Sequence, residues 1–261
     1  MPITKVNGIN INYSDKGEGE PLVMIMGLGI DQKGWMRQVS AFKKKYRVIT
    51  FDNRGIGKSD KPEGLYTPKL LAEDTIRLMD FLKIQKAHII GDSMGGLVAQ
   101  EIAFNYPDRV IKLILASTYA YQDNETNGIT SNMLAVQELP VRTAFPRFID
   151  AIYNKWFYKL LFATLLKLQA KGMKKPEIAG LTGQLNCNKG YNSIDRLPLI
   201  KTPTLVITGT GDKIIRPGSS DTLSQKIPGA RLVKIDGGSH AIYLEMSKEF
   251  NKAILDFLKS N

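Results

Sequence analysis

Ile89-Ile90-Gly91-Asp92-Ser93-Met94-Gly95-Gly96 is the stretch whose reading decides the fold. A short apolar run, Ala87 to Ile90, leads into Gly-x-Ser-x-Gly, and a helical pattern from Leu97 to Ala103 leads out. A strand that reverses sharply into a helix needs small residues two before and two after its apex, because side chains there would collide across the turn. Gly91 and Gly95 meet that demand. They leave Ser93 exposed, in strained backbone geometry, at the N-terminus of a helix whose dipole favours developing negative charge. Such a position suits a nucleophile. The same pattern also fits a Gly-rich turn carrying an incidental serine, so the rest of the chain has to decide.

Outward from this stretch the chain alternates strands and helices. Leu22 to Met26 is apolar on both faces, as a strand of a covered parallel sheet should be. Arg47–Phe51, Val110–Ala116, Thr204–Thr208 and Arg231–Ile235 read as further strands. Helical patterns run from Trp35 to Lys44, from Thr67-Pro68 to about Lys83, from Ser220 to Lys226 and from Met246 to Lys259. At the start, Asn7-Gly8 is a hairpin turn pair between Lys5-Val6 and Ile9–Tyr13, and Lys16 to Pro21 reads as a loop. Right-handed crossovers between the strands make the sheet mostly parallel. From Tyr121 to Asp195 no strand pattern appears, only basic helical patterns rich in Phe145, Phe148, Ile149, Ile152, Trp156, Phe157, Leu160 and Leu161. The expectation is one α/β domain built from 1–120 and 196–261, interrupted by a helical insertion at 121–195.

A chain of 261 residues with 43% hydrophobic and 23% charged residues is long enough, and apolar enough, for such a domain. The N-terminus lacks the apolar run of a signal peptide, and no uncharged stretch approaches the ~20 residues of a membrane helix. Cys187 is alone, which excludes an internal disulfide and a cysteine cluster for zinc. A cytoplasmic protein is expected. The net charge of +11 is dispersed, without zinc-finger spacing, an RNP-like motif or a basic region followed by heptads, so no nucleic-acid partner is expected. Lys155, Lys159, Lys167 and Lys171 drift along one side of an expected helix, which fits a solvated face better than a membrane surface.

A serine hydroxyl needs a general base, normally a histidine, and a carboxylate that fixes the histidine's tautomer. There are two histidines. His88 lies in the strand before Ser93, about 16 Å away at strand rise, and reads as a packed sheet residue. His240 follows the last strand, at the edge of the sheet where open α/β folds bind ligands. Asp212, beyond the strand Thr204–Thr208, sits at the same edge, with Asp123 as the runner-up. The backbone N–H of Met94 and that of Leu28, in Gly27-Leu28-Gly29, are the expected oxyanion donors.

Met26-Gly27-Leu28-Gly29, Asp52-Asn53-Arg54-Gly55-Ile56-Gly57-Lys58-Ser59, Gly91 to Gly96, Pro203 through Asp212 and Gly237 to His240, in this order, resemble the α/β-hydrolase superfamily and its capped esterase, lactonase and C–C hydrolase branch. The resemblance implies an eight-stranded, mostly parallel sheet with a helical cap at 121–195, and a Ser93–His240–Asp212 triad that works without a cofactor or metal. It also implies that Asp52–Gly55 ties neighbouring turns together. Two positions depart from the family pattern: Met26 where His is common, and Asp92 where His or an apolar residue is common. Asp92 either opposes the oxyanion or anchors a loop by accepting backbone donors. It is not itself the apex, because Ile90 and Met94 would then occupy the positions that must be small. The activity expected is hydrolysis of a small, largely apolar carboxylic ester or lactone. The alternatives are C–C hydrolysis or cofactor-free perhydrolysis on the same residues and, outside the enzymes, a ligand-binding receptor. A homo-oligomer is compatible with all of them.

Overall fold

Asn7 and Gly8 adopt φ of 48° and 80°, the backbone of a two-residue hairpin turn. They join β1 (Ile3–Val6) to β2 (Ile9–Lys16) in antiparallel register. The computed structural model describes residues 2–122, 152–172 and 174–260, and over 165–171 the backbone alone. Beyond the hairpin, β3 (Glu20–Ile25), β4 (Tyr46–Phe51), β5 (Ala87–Asp92), β6 (Val110–Ala116), β7 (Thr204–Gly209) and β8 (Arg231–Ile235) pair in parallel. With β2 antiparallel to β4, the eight strands lie in the order β1-β2-β4-β3-β5-β6-β7-β8. The chain moves from β3 outward to β4 and then returns to the other side of β3 for β5. That reversal makes the carboxyl ends of β3 and β5 the topological switch point, where such sheets usually bind ligands. Ser93 follows β5, and Gly27-Leu28-Gly29 follows β3.

Both faces of the sheet are covered at its centre, which is why β3 to β7 are largely apolar. On one face lie α2 (Pro68–Phe81) and α3 (Met94–Asn105), whose Leu71, Leu78, Met79, Val98 and Ile102 pack on Val23, Ile49, Ile89 and Leu113. Thr67 caps α2 by accepting the Leu70 N–H, and Pro68 sits in its first turn, as the sequence pattern demands. On the other face lies α1 (Met36–Phe42), entered through a 3₁₀ turn at Gln32–Trp35 where the pattern suggested one longer helix. Of the helices towards the C-terminus, α6 (Pro217–Lys226) joins α2 and α3 through Leu223. The single turn α7 (Ile242–Glu245) and α8 (Ser247–Lys259) pack beside α1, α8 burying Phe250, Ile254, Phe257 and Leu258 at helical spacing. The expected loop over 16–21 is shorter than the sequence suggested, because β2 runs to Lys16 and β3 begins at Glu20.

Between β6 and β7 the chain leaves the sheet and returns to it. Where it does, Tyr121 and Asn192 form an antiparallel bridge, and the Ser193 N–H donates to the Ala120 carbonyl at 2.8 Å. This segment contains α4 (Trp156–Gly172) and α5 (Lys175–Asn188). Asp123, Phe145, Phe148 and Ile149 lie outside the described residues, as do the side chains of Lys167 and Lys171. Lys155 is not on a helix face: it precedes α4, and its ammonium donates to the Glu245 carbonyl at 2.8 Å. No helix among the described residues is long and apolar enough to cross a membrane.

Candidate active site

β5 ends at Asp92 and α3 begins at Met94, so the whole reversal falls on Ser93. Its φ of 52° and ψ of −118° lie in a region that residues with a Cβ avoid, at a cost of about 1–3 kcal/mol. Three hydrogen bonds hold it there: its N–H donates to the Ala116 carbonyl at 2.9 Å, and its own carbonyl accepts from Thr118 Oγ1 at 2.8 Å and from the Gly96 N–H at 2.9 Å. The flanking glycines are forced by contact. A Cβ on Gly91 would lie 2.2 Å from the Gly95 carbonyl oxygen, and one on Gly95 would lie 2.3 Å from that of Ile25. Both obstacles are backbone, so neither can move aside.

The Asp212 and His240 loops leave β7 and β8 and pack on each other just as tightly. The Gly211 N–H donates to the Gly238 carbonyl at 2.8 Å, and a Cβ on Gly209 would come within 2.1 Å of that same oxygen. This contact brings Asp212 Oδ2 to 2.8 Å from His240 Nδ1, while His240 Nε2 lies 3.1 Å from Ser93 Oγ. The other Asp212 oxygen accepts the N–H groups of Ile214 and Ile215 at 2.8 and 2.9 Å, which fixes the carboxylate plane. Donation from Nδ1 to Asp212 leaves the Nε2 lone pair facing the serine hydroxyl, the tautomer a general base needs. Burial draws the imidazole pKa down, but the Asp212 carboxylate and its hydrogen bond, aided by Asp92, more than reverse this, so the net shift is upward. His88 is not part of the group. It is buried at the start of β5, where its Nε2 meets Glu20 Oε2 at 3.2 Å and Tyr46 packs edge-on.

The N–H groups of Leu28 and Met94 donate to no acceptor among the described residues. Met94 opens α3, so its N–H is one of the donors that every helix start leaves unpaired. The loop that carries Leu28 lies against the serine: a Cβ on Gly27 would sit 3.1 Å from Ser93 Cβ. Asn53 Nδ2 donates to the Met26 carbonyl at 2.9 Å, and Gln184 Oε1 accepts the Gly29 N–H at 2.9 Å. The Met26 side chain is fully buried and meets Gly34. It belongs to the core.

Asp92 has the least ordinary surroundings. Parallel register sets it beside Ala116 of β6, which in turn pairs with Ile207 of β7. It thus shares the face of Ile90, Ile114 and Leu205, an apolar layer that also contains Met26, Ile242 and Tyr243. Asp92 Oδ1 is buried and has no hydrogen-bond partner among the described residues. Burial pushes the carboxyl up to about 7, with His240 pulling it down and Asp212 pushing it further up.

Residues that sequence reasoning did not single out hold these loops. Glu245, buried on α7, pairs with the hydroxyl of Ser239 beside His240 and accepts the N–H groups of Asn154 and Lys155 at 3.2 and 2.8 Å. Asn154 Nδ2 in turn donates to the carbonyls of Gly211 and Gly237, each at 3.2 Å. The Asp52–Gly55 segment ties turns together: Asp52 accepts from Gln32 N–H, Lys58 N–H and Asn12 Nδ2, and Arg54 makes a two-pronged pair with buried Asp74 at 2.7 Å.

An eight-stranded sheet with this strand order, a serine at the β5 elbow and a histidine after the last strand define a class. The chain belongs to the α/β-hydrolase family, whose model, described as the alpha/beta hydrolase fold, matches residues 20–246. Among curated relatives it is 30% identical over 259 residues to a putative non-heme bromoperoxidase of Mycobacterium tuberculosis, covering 97% of this chain and 98% of that one. Among solved structures it is similar to the enol-lactonase of Burkholderia xenovorans LB400, with 30% identity, a TM-score of 0.88 and coverage of 99% and 100% of the two chains. It is also similar to the meta-cleavage product hydrolase CumD of Pseudomonas fluorescens IP01, with 26% identity, a TM-score of 0.86 and coverage of 99% and 97%.

Proposed function

We propose that this α/β hydrolase cleaves a carboxylic ester or lactone of a small, largely apolar substrate through an acyl-enzyme on Ser93. His240 takes the proton from Ser93 Oγ as the oxygen attacks the carbonyl carbon, then gives it to the departing alkoxide. A water deprotonated by the same imidazole releases the acid. Asp212 orients the imidazole and stabilises its charged form. The N–H groups of Leu28 and Met94 receive the negative charge that forms on the carbonyl oxygen, each worth about 3 kcal/mol in the transition state. The segment 121–195 acts as a helical cap over the serine, and the enzyme works in the cytoplasm. The observation that carries this reading is the unbroken chain Ser93 Oγ, His240 Nε2, His240 Nδ1, Asp212 Oδ2, with separations of 3.1 and 2.8 Å. Similarity to an enol-lactonase supports the choice of an ester-type bond.

A second reading keeps the same residues and replaces the ester by a carbon–carbon bond next to a ketone. Similarity to the meta-cleavage product hydrolase favours it. A panel of p-nitrophenyl esters of graded chain length separates the two. Turnover by the wild type and its loss in Ser93→Ala support esterase chemistry, and retained turnover in Ser93→Ala would overturn the mechanism. Failure of a fluorophosphonate probe to label Ser93 in the native protein would count against both readings.

A further inference from the structure

The Gly27–Leu28 peptide, whose N–H is the oxyanion donor proposed above, joins Gly27 to Leu28, and the residue after them, Gly29, adopts φ +72°. Gly27 lacks a Cβ and so resists rotation of this peptide little from its side, and a turned peptide would present a carbonyl oxygen to the oxyanion instead of an N–H. Two side chains grip its neighbours. Asn53 holds the preceding peptide by the Met26 carbonyl, and Gln184 holds the following one by the Gly29 N–H, each at 2.9 Å. Asn53 comes from the core, but Gln184 comes from α5, in the segment between β6 and β7. Its other end is fastened too: Nε2 donates to the Arg54 carbonyl at 2.9 Å. Arg54 is in turn locked onto Asp74, which also accepts from Asn7.

The approach of α5 is built for this reach. A Cβ on Gly180 would lie 2.1 Å from the Gly55 carbonyl oxygen, and one on Gly183 would lie 2.6 Å from the Tyr66 ring. Bulk at either position would push the helix away and carry Gln184 out of range. The Gln184 side chain is fully buried, and its two hydrogen bonds span 155 and 130 residues of sequence. We propose that Gln184 is a positioning residue for the oxyanion loop, fixing the Leu28 N–H toward the reacting carbonyl through Gly29 and Arg54. The catalytic power of the core then depends on α5 being seated, in addition to any part this segment takes in choosing substrate.

The test compares the wild type with Gln184→Met, which keeps the side chain's length and removes both hydrogen bonds. On an ester that the wild type hydrolyses, kcat is expected to fall about 10- to 100-fold while KM stays within about twofold. Affinity for a boronic acid that mimics the tetrahedral intermediate should fall by the same factor as kcat. The acid midpoint of the pH profile should not move, because Gln184 carries no charge and does not touch His240. Unchanged kcat in folded Gln184→Met protein overturns the proposal, and so does a loss confined to KM. Hydrogen exchange in the wild type tests it without any variant. A Gly29 amide as protected as those of the central strands supports it, and exchange at the rate of a free loop overturns it. The inference rests on the hydrolase reading, yet the two fail separately. A wild type that is inert to esters and to the fluorophosphonate removes the reading, whereas an active wild type matched by Gln184→Met removes only the inference.

Discussion

Replacing Asp92 with asparagine should stabilise the protein at pH 8 and do little at pH 4. The carboxyl is buried in an apolar layer, its Oδ1 lacks a partner among the described residues, and burial raises its pKa from 3.8 to about 7. Below about pH 4 the folded and unfolded chains both hold this proton, and burial of the acid carries no ionisation penalty. Between about 4 and 7 the unfolded chain has released the proton while the native protein retains it, so stability falls as pH rises through that window. Above 7 the penalty is complete. The gap between about 7 and 3.8, at about 1.4 kcal/mol per pH unit, makes it on the order of 4 kcal/mol. Asparagine has nearly the same shape and never ionises. Urea unfolding of the wild type and Asp92→Asn at several pH values between 4 and 8 should give curves that coincide at the acid end and diverge steadily above it. Parallel curves over the whole range would refute the reasoning, since the carboxyl would then be as well accommodated ionised as neutral.

His240 must be neutral to accept the serine proton, and its pKa is raised, so kcat/KM should climb with pH through a midpoint above 6.5. The Asp92 charge contributes to that rise, so Asp92→Asn should shift the midpoint downward, and an upward shift would contradict the assignment. Separately, Arg54→Met would leave Asp74, whose side chain is only 2% exposed, with the Asn7 amide but no opposite charge. An uncompensated buried charge costs about 3–5 kcal/mol, readable as a lower urea midpoint, and adding Asp74→Leu should restore most of the loss; failure to restore it would mean that Arg54 acts through its other contacts.

How much of the fold and site is legible in the chain depends on how locally each constraint is written. Gly91 and Gly95 are legible because the atoms that exclude a larger residue lie within the same turn and the strand beside it. His240 and Asp212 are legible because a parallel sheet delivers every strand's carboxyl end to one edge, whatever lies between them in sequence. Gln184 is not, since its partners Gly29 and Arg54 are more than a hundred residues away and no periodicity records a hydrogen bond between a helix and a distant loop. The same holds for Glu245 and Asn154. Asp92 lies between these cases. Taken as part of a turn, its carboxyl has a choice of backbone partners. Taken with the two-residue period of the strand, it falls on the face of Ile90, where neighbouring strands supply Ala116 and Ile207 and nothing to bond with. Backbone pairing with β6 carries β5 through Asp92, one residue short of Ser93. The strand's alternation therefore governs the acid beside Ser93, and an acid governed by that alternation is buried whether or not it is paired.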